Sequence, residues 1–227
     1  EIERQAQAKR DYIADTRKLQ LEVIQLPVAR NTNGTPVEVS VSRPAVRLIV
    51  PNGERIALPV NELAHRQIGE RVGIPAKYYE RMLQGAPALL ANNVNHWLRE
   101  QPEQRMVRTL DGTVRAFLSN RYQRIDNVQV AETVLPVLAE TRGIEIVSAE
   151  VTERRLYIKA KSTEIRAEVK GSRRVGDFVE AGIIISNSEV GLGAVSVQPF
   201  YFFLACLNGM VRNRDGMRQA HIGTKYD

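Results

Sequence analysis

The sequence predicts an α+β fold in which helices pack on an antiparallel sheet, preceded by a small β region and a helical block. Three features favour this fold. Segments in which apolar and polar residues alternate occur near both ends of the chain, which is the period of half-buried strands. A segment with helical spacing lies between them, over residues 61–100. Two-residue turn sequences, Asn52-Gly53 and Asp111-Gly112, separate neighbouring strand candidates and therefore favour antiparallel hairpins.

Residues 1–60 are predicted to form an N-terminal arm followed by a small β region. The first residues are polar and of mixed charge, which favours a helix or an arm with few apolar anchors. Alternation begins at Leu19 and continues with interruptions by glycine and proline. We expect short antiparallel strands here, with a hairpin turn at Asn52-Gly53.

The helical block spans residues 61–102. Asn61 is a suitable N-cap for a first helix, and Gly73 is expected to end it. Proline is tolerated in the first turn of a helix. Pro75 and Pro87 therefore predict the starts of a second and a third helix.

Residues 103–227 are expected to form an α+β core, either as a separate domain or continuous with the rest of the chain. Two strands flank Asp111-Gly112, and a helix capped by Asp126 or Asn127 follows them. Further extended segments lead to the most apolar part of the chain, residues 195–211. We predict an apolar helix in that last region.

The composition limits the classes of partner. The 227 residues include 32 Lys and Arg against 26 Asp and Glu, which gives a formal net charge of +6. A basic chain of this kind is compatible with a polyanion such as nucleic acid. The sequence has no run approaching the roughly 18 apolar residues that cross a bilayer, and its first residues are too polar for a signal peptide. We therefore expect no membrane partner and a cytoplasmic location.

The few cysteine and histidine residues of the chain give little support for a metal site or a catalytic nucleophile. The sequence has one cysteine, Cys206, and three histidines, His65, His96 and His221, whose spacing does not match a zinc site. We expect no metal, no cofactor and no enzymatic activity. The alternative is an uncharacterised enzyme that uses Cys206 and His221, against which a buried structural thiol is the competing interpretation.

Several basic segments are candidates for contacts with nucleic-acid phosphates. Alternate residues of a strand share one face, where a row of guanidinium groups can follow a phosphate backbone and a tyrosine can stack on a base. The predicted nucleic-acid-binding residues are Arg105, Arg108, Arg115, Arg121, Tyr122, Arg124, Lys159, Lys161, Arg173, Arg174, Arg212 and Arg214. The competing interpretation is a solvated charged surface that only keeps the protein soluble.

A regulator that binds duplex DNA is an alternative function. Residues 63–83 have the outline of a helix-turn-helix, in which the small Gly69 would allow the two helices to approach closely. Lys77 and Arg81 would then enter a major groove. A plain helical hairpin is the competing interpretation, because few base-reading side chains occur on the second helix.

Several segments of the chain resemble a phage/plasmid-like family labelled as a domain of unknown function. The resemblance covers residues 61–223. The segments that carry it are VGIPAKYYERM at 72–82, NNVNHW at 92–97, VRTLDGTVRAFLSNRY at 107–122, SNSEVG at 186–191, CLNGM at 206–210 and HIG at 221–223. The resemblance implies an origin in a phage or a plasmid.

The chain is also similar, in its small size, basic character and arginine content, to phage single-strand annealing proteins of the RecT, Erf and Sak groups. This similarity implies binding of single-stranded DNA, or of RNA, in a positively charged groove. It further implies a homo-oligomeric ring or filament that promotes strand annealing and homologous recombination without a cofactor. The N-terminal helix and residues 195–211 are then candidates for subunit contacts.

Overall fold

The computed structural model describes residues 1–32, 35–49, 55–168, 178–203, 210–211, 217–219 and 221. The strands are β1 (Arg10–Asp15), β2 (Gln20–Thr32), β3 (Thr35–Ile49), β4 (Arg55–Pro59), β5 (Gln104–Leu110), β6 (Thr113–Ser119), β7 (Ile144–Val151), β8 (Leu156–Glu168), β9 (Phe178–Asn187), β10 (Val195–Phe203), β11 (Met210–Val211) and β12 (Met217–Gln219). The helices are α1 (Ile2–Ala8), α2 (Glu62–Arg71), α3 (Ala76–Gly85), α4 (Pro87–Glu100) and α5 (Asn127–Glu140). All the strand pairings within the sheets are antiparallel, so the predicted α+β class is confirmed.

The described residues divide into two compact units. Residues 8–120 form what we call the N-terminal unit, and residues 1–7 together with 121–221 form the C-terminal unit. The sequence places boundaries after residues 60 and 102, whereas the division found here follows residue 120. The reason is that β5 pairs with both β1 and β6, which ties this hairpin to the N-terminal part of the chain.

Local turn and cap chemistry determines several boundaries in the N-terminal unit. Asn61 caps α2, because its Oδ1 accepts a hydrogen bond from the backbone N–H of Ala64 at 2.9 Å. The β5–β6 hairpin turns at Asp111 and Gly112, both of which have positive φ angles, 48° and 72°. Two positive φ angles are the requirement of a tight hairpin turn, so that prediction is confirmed. The turn proposed at Asn52-Gly53 lies outside the described residues.

The helices α2 and α3 pack closely, as the sequence predicts. A Cβ atom added to Gly69 would lie 2.8 Å from Cδ2 of Tyr79, whose ring is buried in the core. The hydroxyl of Tyr79 lies 2.9 Å from Nδ1 of His65 on α2. The two helices are therefore joined by a small residue and by a buried hydrogen bond.

We expect this buried histidine to make the protein less stable in mild acid. Burial lowers the pKa of His65 to about 4, whereas an unfolded histidine titrates near pH 6.5. Between these two values the unfolded chain binds the extra proton, so stability falls as the pH falls from about 6.5 towards 4, by up to about 3 kcal/mol. Urea unfolding of the wild type and of His65→Gln over this range measures the effect. The same pH dependence in both proteins would contradict it.

The C-terminal unit consists of one sheet with α5 on one face. Strand order is β11-β10-β9-β8-β7, and β12 pairs with β10 beside β11. The buried residues of the contact between sheet and helix are Val130, Leu138, Leu156, Ile158, Ala160 and Ile185. Val130 and Leu138 belong to α5, and the other four side chains come from β8 and β9, where those of β8 occupy alternate positions. The other face of the sheet is therefore left free of α5.

The prediction of an apolar helix over residues 195–211 is wrong for residues 195–203, which form β10. Val195 and Val197 pack towards the core, while Ser196 and Gln198 lie between them in the sequence. This alternation has a period of two, which is that of a strand. Residues 204–209 lie outside the described part of the chain.

Candidate nucleic-acid interface

One face of the C-terminal sheet carries polar and aromatic side chains. Because successive side chains of a strand alternate between faces, the face opposite α5 receives the residues between the core positions. We call the central part of it the open face. It consists of Tyr157 and Lys159 on β8, Ile184 and Ser186 on β9, and Ser196 and Gln198 on β10.

The strand register arranges the open face in two rows. In the first row Tyr157 lies opposite Ser186, and Ser186 lies opposite Ser196. The hydroxyl oxygens of the two serines are 2.9 Å apart, so they share a hydrogen bond. In the second row Lys159 lies opposite Ile184, which lies opposite Gln198. The face therefore offers an aromatic ring, an ammonium group, hydroxyls and an amide within two neighbouring rows.

A cleft of about 430 Å³ lies over the first row. Tyr157, both serines and Gln198 line it, together with Arg155 from the turn before β8. This volume falls within the range of roughly 300 to 1,000 Å³ that is typical of small-ligand pockets. The cleft is therefore large enough for a planar ring system with polar substituents.

Arg155 is positioned at the cleft by backbone groups. The turn that carries it is closed by the N–H of Thr152, which donates to the carbonyl oxygen of Arg155 at 2.8 Å. The guanidinium Nη2 donates to the carbonyl oxygen of Leu192. Gly193 is small enough to allow this, since a Cβ there would lie 3.2 Å from the same Nη2. The loop after β9 thus positions the guanidinium of Arg155 through a hydrogen bond to a backbone carbonyl oxygen.

The charges at the open face are not neutralised locally. Among the residues that the structure describes, neither Arg155 nor Lys159 forms an ion pair with a carboxylate, and the Tyr157 hydroxyl has no hydrogen-bond partner. On the edge strand β7, Glu150 is the register partner of Tyr157. The basic groups of this surface therefore lie on β8 and in the turn before it, whereas an acidic group lies on β7.

The predicted row of arginines on the β5–β6 hairpin is not exposed. Arg108 has no accessible surface, and Arg115 is only 3% exposed. Nε and Nη2 of Arg108 donate to the two carboxylate oxygens of Asp11 at 2.9 and 3.0 Å. The Nε of Arg105 donates to Glu103, and its guanidinium lies over the ring of Phe117. The expectation that Arg108 and Arg115 face phosphates is wrong, because both side chains are buried.

Tyr122 is also buried, so the expectation that it stacks on a base is wrong. Its hydroxyl donates to the carbonyl oxygen of Ser188 at 2.7 Å, and its ring is stacked on His221. Arg121 and Arg124 on either side of it are exposed, and their contact with nucleic acid remains a prediction.

The two predicted lysines on β8 differ in their surroundings. Lys161 lies between two carboxylates, with its Nζ 3.0 Å from Glu180 and 3.3 Å from Glu145. The hydrogen bond that Lys161 donates to Glu180 raises the pKa of Lys161, and Glu145 acts in the same direction. Lys161 thus has acidic partners within the protein, whereas Lys159 belongs to the open face. Arg173, Arg174, Arg212 and Arg214 lie outside the described residues.

Of the two residues of the enzyme alternative, only His221 lies within the described residues. Cys206 lies outside the described residues. Both ring nitrogens of His221 are hydrogen-bonded to oxygen atoms, Nδ1 to the carbonyl of Gln123 and Nε2 to Asn187.

No cluster of three His, Cys, Asp or Glu side chains suited to a metal ion occurs in the part of the chain that is described. Within the same residues, no helix is both long enough and apolar enough to span a membrane.

Comparison with known proteins identifies the region that contains this surface. Residues 115–223 match a family described as Domain of unknown function (DUF932). The DUF932 match covers just under half of the chain, and it includes the whole open face and both aromatic rings of the Tyr122–His221 stack. The resemblance to an uncharacterised domain family is therefore confirmed for this region. No curated protein and no solved structure matches the chain.

Sequence reasoning missed most of the open face. Of its residues, only Lys159 was predicted to bind nucleic acid. The alternation of Leu156, Tyr157, Ile158 and Lys159 indicates which side chains share a face of β8. The positions of the serines and of Gln198 beside them depend on the register of three strands, which the sequence does not contain.

Proposed function

We propose that the protein binds single-stranded nucleic acid on the open face of the C-terminal sheet. In this proposal a base stacks on Tyr157, and phosphates contact Arg155 and Lys159. The observation that supports it most is that an accessible tyrosine lies beside two cations that have no carboxylate partner in the described structure. Ser186, Ser196 and Gln198 then supply hydrogen bonds to the sugar.

The chemistry of this face suits a single strand better than a duplex. Unpaired bases expose their rings for stacking on aromatic side chains, and proteins often present those side chains on a sheet. Stacking tolerates different bases because each base has a π face, whereas the phosphate contacts provide affinity that depends on salt. A flat sheet surface with a single cleft does not present a helix or a ribbon to a major groove.

The more specific part of the proposal is strand annealing and homologous recombination by a cytoplasmic protein of phage or plasmid type. A base that is held by its ring and its phosphate keeps its Watson–Crick edge free for a second strand. Neighbouring copies in a ring or filament would extend such a strand over several subunits. The net charge of +6, which favours a polyanionic partner, supports this part.

Fluorescence polarisation with labelled oligonucleotides tests the proposal. We expect single strands to bind more tightly than duplexes of the same length, and the logarithm of the affinity to fall linearly with the logarithm of the salt concentration. Arg155→Ala should reduce that slope by about 0.7, the value for one phosphate contact with a single strand. Arg142→Ala is the matched control, because its side chain is 97% exposed in the same unit. Affinity that does not depend on salt would contradict the proposal.

Duplex-DNA binding by α2 and α3 is the second candidate function. The observation that favours it is that Lys77, Tyr78 and Arg81 are all exposed on α3 while Tyr79 holds the helix against α2. In that case one duplex sequence would bind more tightly than random single strands. The double variant Lys77→Ala/Arg81→Ala would abolish that preference, and Arg155→Ala would leave it unchanged.

A further inference from the structure

His221 is a buried histidine with an oxygen atom at each ring nitrogen. It is 7% exposed, and its ring is stacked on Tyr122 with 4.7 Å between the ring centroids and 4° between the planes. Nδ1 lies 2.9 Å from the carbonyl oxygen of Gln123. Nε2 lies 3.0 Å from Oδ1 of Asn187. Each contact is short enough for a hydrogen bond.

The side-chain amide of Asn187 has only one consistent orientation. Its Nδ2 donates to the carbonyl oxygen of Ile125 and to Oδ1 of Asn127, both at 2.9 Å. Rotating the amide would direct its oxygen at the carbonyl of Ile125, and two acceptors would then face each other. The oxygen of Asn187 therefore points to His221, as does the carbonyl oxygen of Gln123. Because neither oxygen can donate, both ring nitrogens of His221 must carry a proton.

We infer that the protein holds His221 as a buried imidazolium cation. This cation stabilises the position of β12 beside the open face, and loss of its proton at higher pH weakens the pairing of β12. We call the charged His221 and its hydrogen bonds to Gln123 and Asn187 the latch. Strand β12 ends two residues before His221 and pairs with Val195–Val197 of β10. This pairing places Arg218 at the register position opposite Ser196. The effect of the latch on nucleic-acid binding rests on the proposed function. The charge of His221 does not.

The groups around His221 suit a cation. The π face of Tyr122 is favourable for a positive charge stacked on it. The carboxylate of Glu189, which is 4% exposed, accepts from the N–H of Asn127 at 2.7 Å and completes the same hydrogen-bond network. The other charged groups of the segment before α5 are Arg121, Arg124 and Asp126. Glu189 is thus a buried carboxylate that is linked to Asn187 through Asn127.

The sign of the pH dependence follows from the proton that His221 holds. The folded protein keeps this proton, whereas an unfolded histidine releases it near pH 6.5. The latch is therefore fully effective below about pH 6.5 and is lost as the pH rises and the proton leaves the folded state. A neutral ring would direct a lone pair at an oxygen and lose a charge-assisted hydrogen bond. This direction is opposite to that of His65.

Nitrogen-15 NMR of the histidine side chains in the full chain tests the charge. We expect both ring nitrogens of His221 to remain protonated above pH 6.5, the value near which an unfolded histidine releases its proton. Asn187→Ala removes the oxygen that accepts from Nε2, and His221 should then lose its proton at a lower pH than in the wild type. His96→Gln is the control that leaves the His221 signals unchanged. If either ring nitrogen of His221 has lost its proton at pH 6.5, the inference is overturned.

Hydrogen exchange and oligonucleotide binding test the latch itself. After correction for the intrinsic pH dependence of exchange, we expect the amides of β12 to exchange about tenfold faster once His221 loses its proton. Affinity for a thymine oligonucleotide should fall over the same pH range, and at a lower pH in Asn187→Ala. If amide exchange in β12 becomes faster when His221 loses its proton but no oligonucleotide binds at any pH, the proposed function is wrong. The inference about the latch is then unaffected. If the oligonucleotide binds but its affinity does not change as His221 loses its proton, the inference that the latch regulates binding is wrong. The proposed function is then unaffected.

Discussion

Replacing Arg108 by alanine is expected to lower the free energy of unfolding of the N-terminal unit by about 3–5 kcal/mol. The Arg108 guanidinium has no accessible surface and forms two parallel hydrogen bonds to the Asp11 carboxylate across the β1–β5 pair. Its removal leaves a carboxylate in the protein interior without its main cation, which is far more costly than the loss of an exposed charge. Urea unfolding monitored by circular dichroism measures the change.

Two further variants show whether burial is the cause. Arg99→Ala removes an exposed arginine from α4 and should change stability by less than about 0.5 kcal/mol. The double variant Asp11→Leu/Arg108→Met replaces the pair by apolar side chains and should recover most of the loss. If Arg108→Ala costs no more than Arg99→Ala, then Arg108 is at the surface and remains available for phosphates.

Replacing Tyr157 by alanine is expected to weaken binding of a single strand by about 5- to 150-fold. Stacking of one base on an aromatic ring contributes about 1–3 kcal/mol, which corresponds to that range of affinity. Tyr157 is the aromatic residue of the first row of the open face, beside the cleft of about 430 Å³. Polarisation titrations at one fixed salt concentration compare the variant with the wild type.

The controls for this prediction separate stacking from other effects. Tyr157→Phe keeps the ring and should retain most of the affinity. Tyr78→Ala removes a tyrosine that is 47% exposed on α3 and should have little effect on single-strand binding. If Tyr78→Ala weakens binding more than Tyr157→Ala does, the nucleic acid binds to the helical block instead.

Those parts of the fold that depend on neighbouring residues could be predicted from the sequence. The cap at Asn61 and the turn at Asp111-Gly112 are determined by side chains and φ angles within a few residues. The high apolar content of residues 195–203 predicts a helix, whereas these residues form β10. The alternation of Val195, Ser196, Val197 and Gln198 was the better signal.

The candidate site depends on contacts between distant residues, which limits what the sequence can predict. Arg108 is buried by a carboxylate 97 positions earlier in the chain. No local pattern distinguishes such an arginine from one on a solvated strand. In the same way, Tyr157 meets Ser186 only through the register of β8 with β9. Charge counts therefore identify a basic protein but not which of its cations are exposed.

Mapping of backbone amide shifts by NMR during addition of a thymine oligonucleotide tests the central claim most directly. The claim is that the open face binds the single strand. We expect the largest shifts at residues 155–159, 184–186 and 196–198, with the amides of α2 and α3 unaffected. Shifts confined to α3, or the absence of shifts on the open face under conditions in which the oligonucleotide binds, would contradict the claim.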